Sequence, residues 1–433
     1  MAKLKKPTDV NFLSFQGGGG LGFAYLGAIQ ALEDLAVLPF GRTGSQLKGI
    51  SGTSAGAITA MFLALGCGSK DLKAVFDNNI DFDSFYDPPV LGKGRGLLPN
   101  NYSAEVEMPG SKGQLRDVAK LILENKRRIE SGSDDFRKML SYSWLRSLDV
   151  RVSGAALILA MNTIGQLDVV KEMQSIPFLK KFSARFPEYM YSLIYDRGIF
   201  AGLAVRHYLR RQFRSFVARI PAWQRNPRLK DASTMTFSML KDLTGVSLAV
   251  CATNISQKKS MVFSASGTPD FPVVEAVGMS ACFPVVFKPI FIDAPWSDPV
   301  LGPLRGLWLD GGLLNNIPVH AFDKEARRSG QSGTATLPPG MLALRLVEGA
   351  PRSFEAYDDP SQDTLPLIGL LRDMFSTLMV PGREGQFLTV EERQQSIDLF
   401  TFDLSLFEFA PTQYKAKNPV DVARRTVLDY FRR

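Results

Sequence analysis

Three short stretches of this 433-residue chain hold residue types able to do acyl chemistry. The first is Gly49-Ile50-Ser51-Gly52-Thr53-Ser54-Ala55-Gly56, in which residues 52 to 56 fit the pattern G-x-S-x-G. In that pattern the serine sits on a sharp turn between a strand and a helix, and small neighbours, here Gly52 and Gly56, make the turn possible. The Ser54 hydroxyl then stands above the sheet edge as a nucleophile, with a helix N-terminus beneath it to stabilise developing negative charge. The second stretch is Phe15-Gln16-Gly17-Gly18-Gly19-Gly20-Leu21-Gly22. Gly17-x-Gly19-x-x-Gly22 satisfies a dinucleotide fingerprint, which also needs an acidic residue about twenty positions on, at the end of a second strand. Glu33 and Asp34 come too early and fall at the end of the intervening helix. The other reading is a loop whose backbone N–H groups form an oxyanion hole, and the nearby Ser54 favours it. Its candidate donors are Gly17, Gly18, Gly19 and Gly20, joined by the N–H of Ala55. The third stretch is Asp310-Gly311-Gly312, a strand-end carboxylate with two glycines that let the chain turn tightly behind it.

A serine nucleophile needs a base. The chain has two histidines, His207 and His320. His207 lies on a basic helix; His320 follows Pro318 at the start of another, close in sequence to Asp310. Each reads as an ordinary structural histidine before it reads as a catalytic one. A carboxylate with an ordinary pKa of about 3.9 is a poor base for a hydroxyl at neutral pH, but burial raises it.

The elements that must position these residues follow from patterning. Val10 to Phe15 reads as a strand, Phe23 to Leu35 as a helix, Leu47 to Ser51 as a second strand and Ala57 to Leu65 as an apolar helix. Further strands are expected at Val246 to Thr253, Ser260 to Ser264, Leu304 to Leu309, residues 341–347 and Ser396 to Phe402. Helices are expected at Leu365 to Met379 and Val420 to Phe431. Residues 66–101, rich in Gly, Pro, Asp and Asn, read as a loop beside the site. Its Asp81, Asp83 and Asp87 fit no EF-hand pattern and read as solvated loop carboxylates.

The three stretches together resemble the patatin-like phospholipases, which combine a glycine loop, a G-T-S-A-G elbow and a later D-G-G/A motif. Asp310-Gly311-Gly312 is followed by Leu313-Leu314-Asn315-Asn316-Ile317-Pro318, and Gly278-Met279-Ser280-Ala281-Cys282-Phe283-Pro284 is similar to the family's A-S-x-x-x-P segment. Leu21 departs from the Arg or Lys usual in the family. The resemblance implies a three-layer α/β/α sandwich with a mainly parallel central sheet. It implies a Ser54–Asp310 dyad, with Gly22, Gly52, Gly56, Gly311 and Gly312 supporting the motifs, and no metal or organic cofactor. It also implies hydrolysis of fatty-acyl esters of membrane glycerophospholipids through an acyl-enzyme. A neutral-lipid esterase or thioesterase with the same dyad, or a non-catalytic lipid-binding module, are the alternatives. Some bacterial relatives are toxins or defence effectors held inactive until signalled, so a small-molecule or protein activator is a further expected partner.

Composition bounds the rest. A hydrophobic content of 45% with 22% charged residues is ordinary for a globular chain with a large core. One domain spanning 1–433 is expected, with a basic, largely helical insertion at about 102–195 and a C-terminal extension at about 341–433. The net charge of +8 is uneven: residues 101–230 hold 23 Lys and Arg against 12 Asp and Glu. Within the insertion, Lys112 to Ile129 reads as a polar helix, and Val152 to Met161 as either a buried helix or a lid that meets lipid. Arg206, Arg210 and Arg214 form a stripe on the next helix, whose opposite face carries Leu209, Phe213, Phe216, Val217 and Ile220. The charge suits an anionic phospholipid surface, and no nucleic acid partner is expected. Cys67, Cys251 and Cys282 read as reduced core residues. No apolar segment follows the basic Met1 to Lys6, and no stretch is long enough to span a bilayer. A cytoplasmic chain, peripheral at a membrane, is expected, with non-Sec export as an alternative.

Overall fold

The computed structural model describes residues 4–40, 44–77, 85–99 apart from 89, 101–109, 189–225 apart from 190, 191 and 194, 230–323, 337–349, 389–404 apart from 403, and 419–432. In chain order the elements are β1 (Phe12–Phe15), α1 (Tyr25–Asp34), β2 (Gly49–Thr53), α2 (Ala55–Ala64), α3 (Ser69–Asp77), β3 (Lys93–Leu98), β4 (Asn101–Glu107), β5 (Gly198–Phe200) and α4 (Leu203–Val217). They continue with α5 (Pro221–Arg225), α6 (Phe237–Thr244), β6 (Ser247–Asn254), β7 (Lys259–Ser264), α7 (Val273–Ser280), β8 (Val285–Phe287), β9 (Ile290–Ile292) and β10 (Gly306–Asp310). The last are β11 (Met341–Val347), α8 (Val390–Gln394), β12 (Ser396–Phe400) and α9 (Pro419–Arg432).

The heart of the sheet is parallel, in the order β12-β11-β1-β2-β6. β1, β2, β6 and β11 are buried along their whole length because both faces are covered, whereas β12, at the end of this order, alternates. Leu13, Phe15, Ile50, Val250 and Leu344 face one core, together with apolar residues of α1, α2, α7 and α9. Their neighbours Phe12, Ala249, Met341 and Ala343 face the other, against Ile317, Val319, Phe322 and Leu337. The alternation of consecutive residues between two cores is the period of two that a pleated strand imposes. This is the expected three-layer α/β/α architecture. Beyond β6 the sheet turns antiparallel through β10 and β9 and continues to β3 and β4. β5 and β8 form a separate parallel pair.

Several expectations shift. The first helix starts late, because Gly19–Ala24 winds as a 3-10 turn before α1. The segment 66–101 contains α3 and β3 as well as loop. Its glycines mask the strand: Gly94 and Gly96 pack under Met108 and Val106, whose side chains fill the space. β4 occupies the start of the region read as an insertion and pairs with β3. The region read as an extension from 341 supplies β11, which pairs with β1 in the middle of the sheet. The helices expected at 112–129, 152–161 and 365–379 lie outside the described residues, as do Asp81 and Asp83. Asp87 is a helix cap, accepting from the N–H groups of Gly202, Leu203 and Ala204 at 2.7–3.0 Å.

Two of the three arginines in the α4 stripe are turned inward, while Arg214 stays exposed. Arg206 is buried, and it and Arg210 converge on one carboxylate oxygen of buried Glu275 of α7, at 3.0 and 3.1 Å. Arg214 grips Asp231 with two hydrogen bonds of 2.7 and 2.8 Å. Spacing along a helix sets which residues share a face, not what that face meets. The expected apolar face holds: Leu209, Phe213, Phe216 and Val217 are buried.

Candidate active site

The site lies where two strands meet end to end on one edge of a third. Thr53, the last residue of β2, stands opposite Cys251 of β6. Asp310, the last residue of β10, stands opposite the next residue, Ala252. β7 pairs with Ala249 to Asn254 along the other edge of β6, so β2 and β10 share an edge and point at each other. Ser54 follows Thr53 at this seam, and its Oγ donates to Asp310 Oδ2 at 2.6 Å.

Ser54 has φ 53° and ψ −124°, a conformation that costs a non-glycine residue of order 1–3 kcal/mol. Neighbouring contacts hold it. A side chain on Gly56 would strike the carbonyl groups of Phe15 and Gln16, and one on Gly52 would strike the backbone of Gly56. The Ser54 N–H donates to Ser280 Oγ at 2.8 Å, and the Ser280 hydroxyl in turn donates to the carbonyl of Cys251 at 2.6 Å. Ser280 is fully buried at the end of α7. In the sequence it stands within Gly278 to Pro284 as a small hydroxyl residue closing an apolar helix, which is the one local signal of its role.

Asp310 is fully buried. Its Oδ1 accepts from the Gly312 N–H at 2.8 Å, and its own N–H donates to the Cys282 carbonyl at 2.9 Å. Burial pushes its pKa up to about 7, against the opposing pull of the Ser54 and Gly312 hydrogen bonds. A carboxylate titrating there can take a serine proton near neutral pH. Neither histidine competes among the described residues: His207 is exposed on α4, and His320 contacts Glu392 and lies 3.4 Å from Asp323.

Of the proposed oxyanion donors, Gly17 is corrected. Its N–H donates to the Asn316 carbonyl at 3.0 Å, while Asn316 Nδ2 donates back to the Gly17 carbonyl at 3.2 Å. Gly17 is therefore an anchor, clamped by Asn316 from the segment after Asp310, and an added Cβ on it would fall 3.0 Å from Ser54 Cβ. The N–H groups of Gly18, Gly19 and Gly20 donate to no carbonyl among the described residues, and Gly19 has φ 49°. Ala55 and Gly56 at the start of α2 likewise present N–H groups that no carbonyl among the described residues accepts. Gly22 packs on Ala55, and Gly311 lies against the Cys251 carbonyl and Thr53. Leu21 is fully buried and belongs to the main core. Cys67, Cys251 and Cys282 are free and buried, with the Cys251 and Cys282 thiols pushed up to about 12 by desolvation.

Behind Asp310, Lys288 and Asp196 form an ion pair of 2.7 Å, both fully buried. Lys288 Nζ also donates to the carbonyls of Val90 and Lys93 at 2.6 and 2.7 Å. The pair ties the chain ahead of β5 to the segment that carries Cys282.

A glycine loop, a strained serine and a buried carboxylate thus meet at one place on a mostly parallel α/β sheet. The Patatin-like phospholipase family model matches residues 13–323, and the chain belongs to that family. A probable lipid hydrolase, 463L of Invertebrate iridescent virus 6, is 32% identical over 93 residues, 21% of this chain and 28% of that protein. The uncharacterized protein YqhO of Bacillus subtilis (strain 168) is 38% identical over 158 residues, 36% of this chain and 46% of that protein. The matched segments thus span less than half the length of either curated relative. The crystal structure of VipD from Legionella pneumophila aligns with a TM-score of 0.43 and 18% identity, covering 98% of this chain and 67% of that one. Among the described residues no helix is long and apolar enough to cross a membrane.

Proposed function

We propose that the chain is a lipid acyl hydrolase that cleaves fatty-acyl esters of membrane glycerophospholipids through an acyl-enzyme. Ser54 Oγ attacks the ester carbonyl and passes its proton to Asp310. The N–H groups of Gly18, Gly19, Gly20 and Ala55 receive the oxyanion. Asp310 then gives the proton to the departing alcohol, takes one from the water that attacks the acyl-enzyme carbonyl, and returns it to Ser54 Oγ as the fatty acid leaves. No cofactor enters these steps.

The observation that carries the reading is the 2.6 Å hydrogen bond from Ser54 to a buried carboxylate whose pKa is raised to about 7. Family membership supports a lipid ester as the substrate class. The test is purified protein on mixed phospholipid vesicles, with products read by mass spectrometry. Fatty acid and lysophospholipid are expected. Release of fatty acid only from neutral glycerides or thioesters would move the same dyad to another substrate. No turnover of any acyl ester would leave a lipid-binding module. A membrane surface is the expected partner, and the dependence of turnover on added protein or small-molecule activators is part of the same assay.

A further inference from the structure

Arg206 and Arg210 are turned inward onto Glu275 and so are not presented to a membrane. We propose that Trp296, Lys258 and Lys259 form a docking surface for a phospholipid bilayer carrying anionic headgroups; this rests on the reading of the chain as a lipid acyl hydrolase. Trp296 is 70% exposed and is the only exposed aromatic side chain among the described residues. Water gives an exposed indole nothing for its apolar area, whereas the headgroup level of a bilayer accepts both its ring and its N–H.

The turn that carries the two lysines is linked to Trp296 through Arg305. The turn between β6 and β7 is fastened to β10: Ser256 Oγ accepts from the Leu307 N–H at 2.9 Å, and Gln257 Nε2 donates to the Arg305 carbonyl at 2.8 Å. The Arg305 guanidinium in turn lies 5.9 Å from the Trp296 ring. Lys258 and Lys259 are exposed and make no ion pair among the described residues. The acidic groups nearby are engaged within the loop: Asp293 lies 3.6 Å from Arg305, and Asp298 accepts from the N–H groups of Val300 and Leu301. Lys258 and Lys259 thus bring two exposed cations with no carboxylate partner among the described residues, which suits an anionic surface.

Register places this surface relative to the site. Asp310 stands opposite Ala252, and β6 continues past that residue to Asn254 before the turn. The turn at 255–258 therefore begins three residues beyond the Ser54–Asp310 level, about 10 Å along the strand. It projects at the end of β2 that bears Ser54, so docking through Trp296 and the lysines holds the dyad near the lipid.

The test uses full-length Ser54→Ala protein, which leaves the vesicles intact and makes binding independent of the nucleophile assignment. Lys258→Gln with Lys259→Gln should weaken binding to phosphatidylcholine vesicles containing phosphatidylserine by roughly thirtyfold. The same change should have little effect on phosphatidylcholine alone. With Trp144→Phe built into every protein compared, Trp296→Ala should weaken binding to both by about tenfold or more and abolish most quenching of tryptophan fluorescence by brominated lipid, since the other two of the four tryptophans, Trp223 and Trp308, are buried. Thermal melts should match those of the parent protein. Binding by both variants equal to the parent, or quenching that persists without Trp296, overturns the docking surface and leaves the hydrolase reading standing.

Discussion

The Ser54 hydroxyl and the Asp310 carboxylate are brought within 2.6 Å by the register of a strand to which neither belongs. Cys251 and Ala252, consecutive in β6, set the ends of β2 and β10 side by side. The meeting point is defined by backbone pairing before any side chain contributes. Substitutions at the dyad should therefore change chemistry while leaving the fold intact.

Ser54→Ala removes one buried oxygen and relieves no packing. Hydrolysis should fall by at least about 10⁴-fold, as nucleophile deletions do elsewhere. Circular dichroism and the thermal midpoint should stay close to wild type. Activity within tenfold of wild type would remove Ser54 from the mechanism.

Asp310 gives a pH signature of definite sign. Its pKa is about 7 in the folded chain and about 3.9 when unfolded. The folded state thus binds the extra proton between those values, so this group's contribution to stability falls as pH rises from about 4 to about 7. Activity runs the other way, because the base must be ionised: kcat/KM should rise through an apparent pKa near 7. Asp310→Asn should abolish that rise along with most turnover. It should also stabilise the protein at pH 8 by up to roughly 4 kcal/mol, with little effect at pH 4. Urea unfolding of both proteins at the two pH values checks this. A variant less stable at pH 8 would mean the carboxylate is not carrying a buried charge.

Ser280→Ala tests whether the strained turn needs its hydrogen bond. The substitution leaves the Ser54 N–H without its buried acceptor, a cost of about 1–3 kcal/mol. If the loss falls on the geometry of Ser54, kcat should drop roughly tenfold to hundredfold, with KM and the pH midpoint unchanged. A fall in stability with full kcat would make Ser280 purely structural.

Lys288→Met would leave Asp196 buried without its counterion and should cost about 3–5 kcal/mol in denaturant unfolding. Adding Asp196→Asn should recover much of that loss. An equal loss in the double variant would mean that the Lys288 bonds to Val90 and Lys93, not the charge pair, hold this corner together.

Much of the site was legible because its chemistry is local. The elbow, the glycine loop and the Asp310 turn each announce themselves within a few residues, and the apolar residues before them mark buried strands. The contacts between distant segments were not legible. Nothing near Gly17 says that its N–H is taken by Asn316, and nothing near Ser54 points to Ser280. Arg206 and Arg210 read as solvent-facing because Glu275, their counterion, lies on a different helix. The strand at Lys93–Leu98 was hidden for a related reason: its glycines are filled in by Val106 of the neighbouring strand and by Met108 just after it.

Activation of Ser54 by Asp310 is tested most directly by fluorophosphonate labelling followed by peptide mass mapping. The wild-type protein should carry a single adduct on Ser54, formed faster as pH rises through about 7. Asp310→Asn should label far more slowly, and His320→Ala at the wild-type rate. An adduct on another residue, or labelling of Asp310→Asn as fast as wild type, would contradict the Ser54–Asp310 dyad.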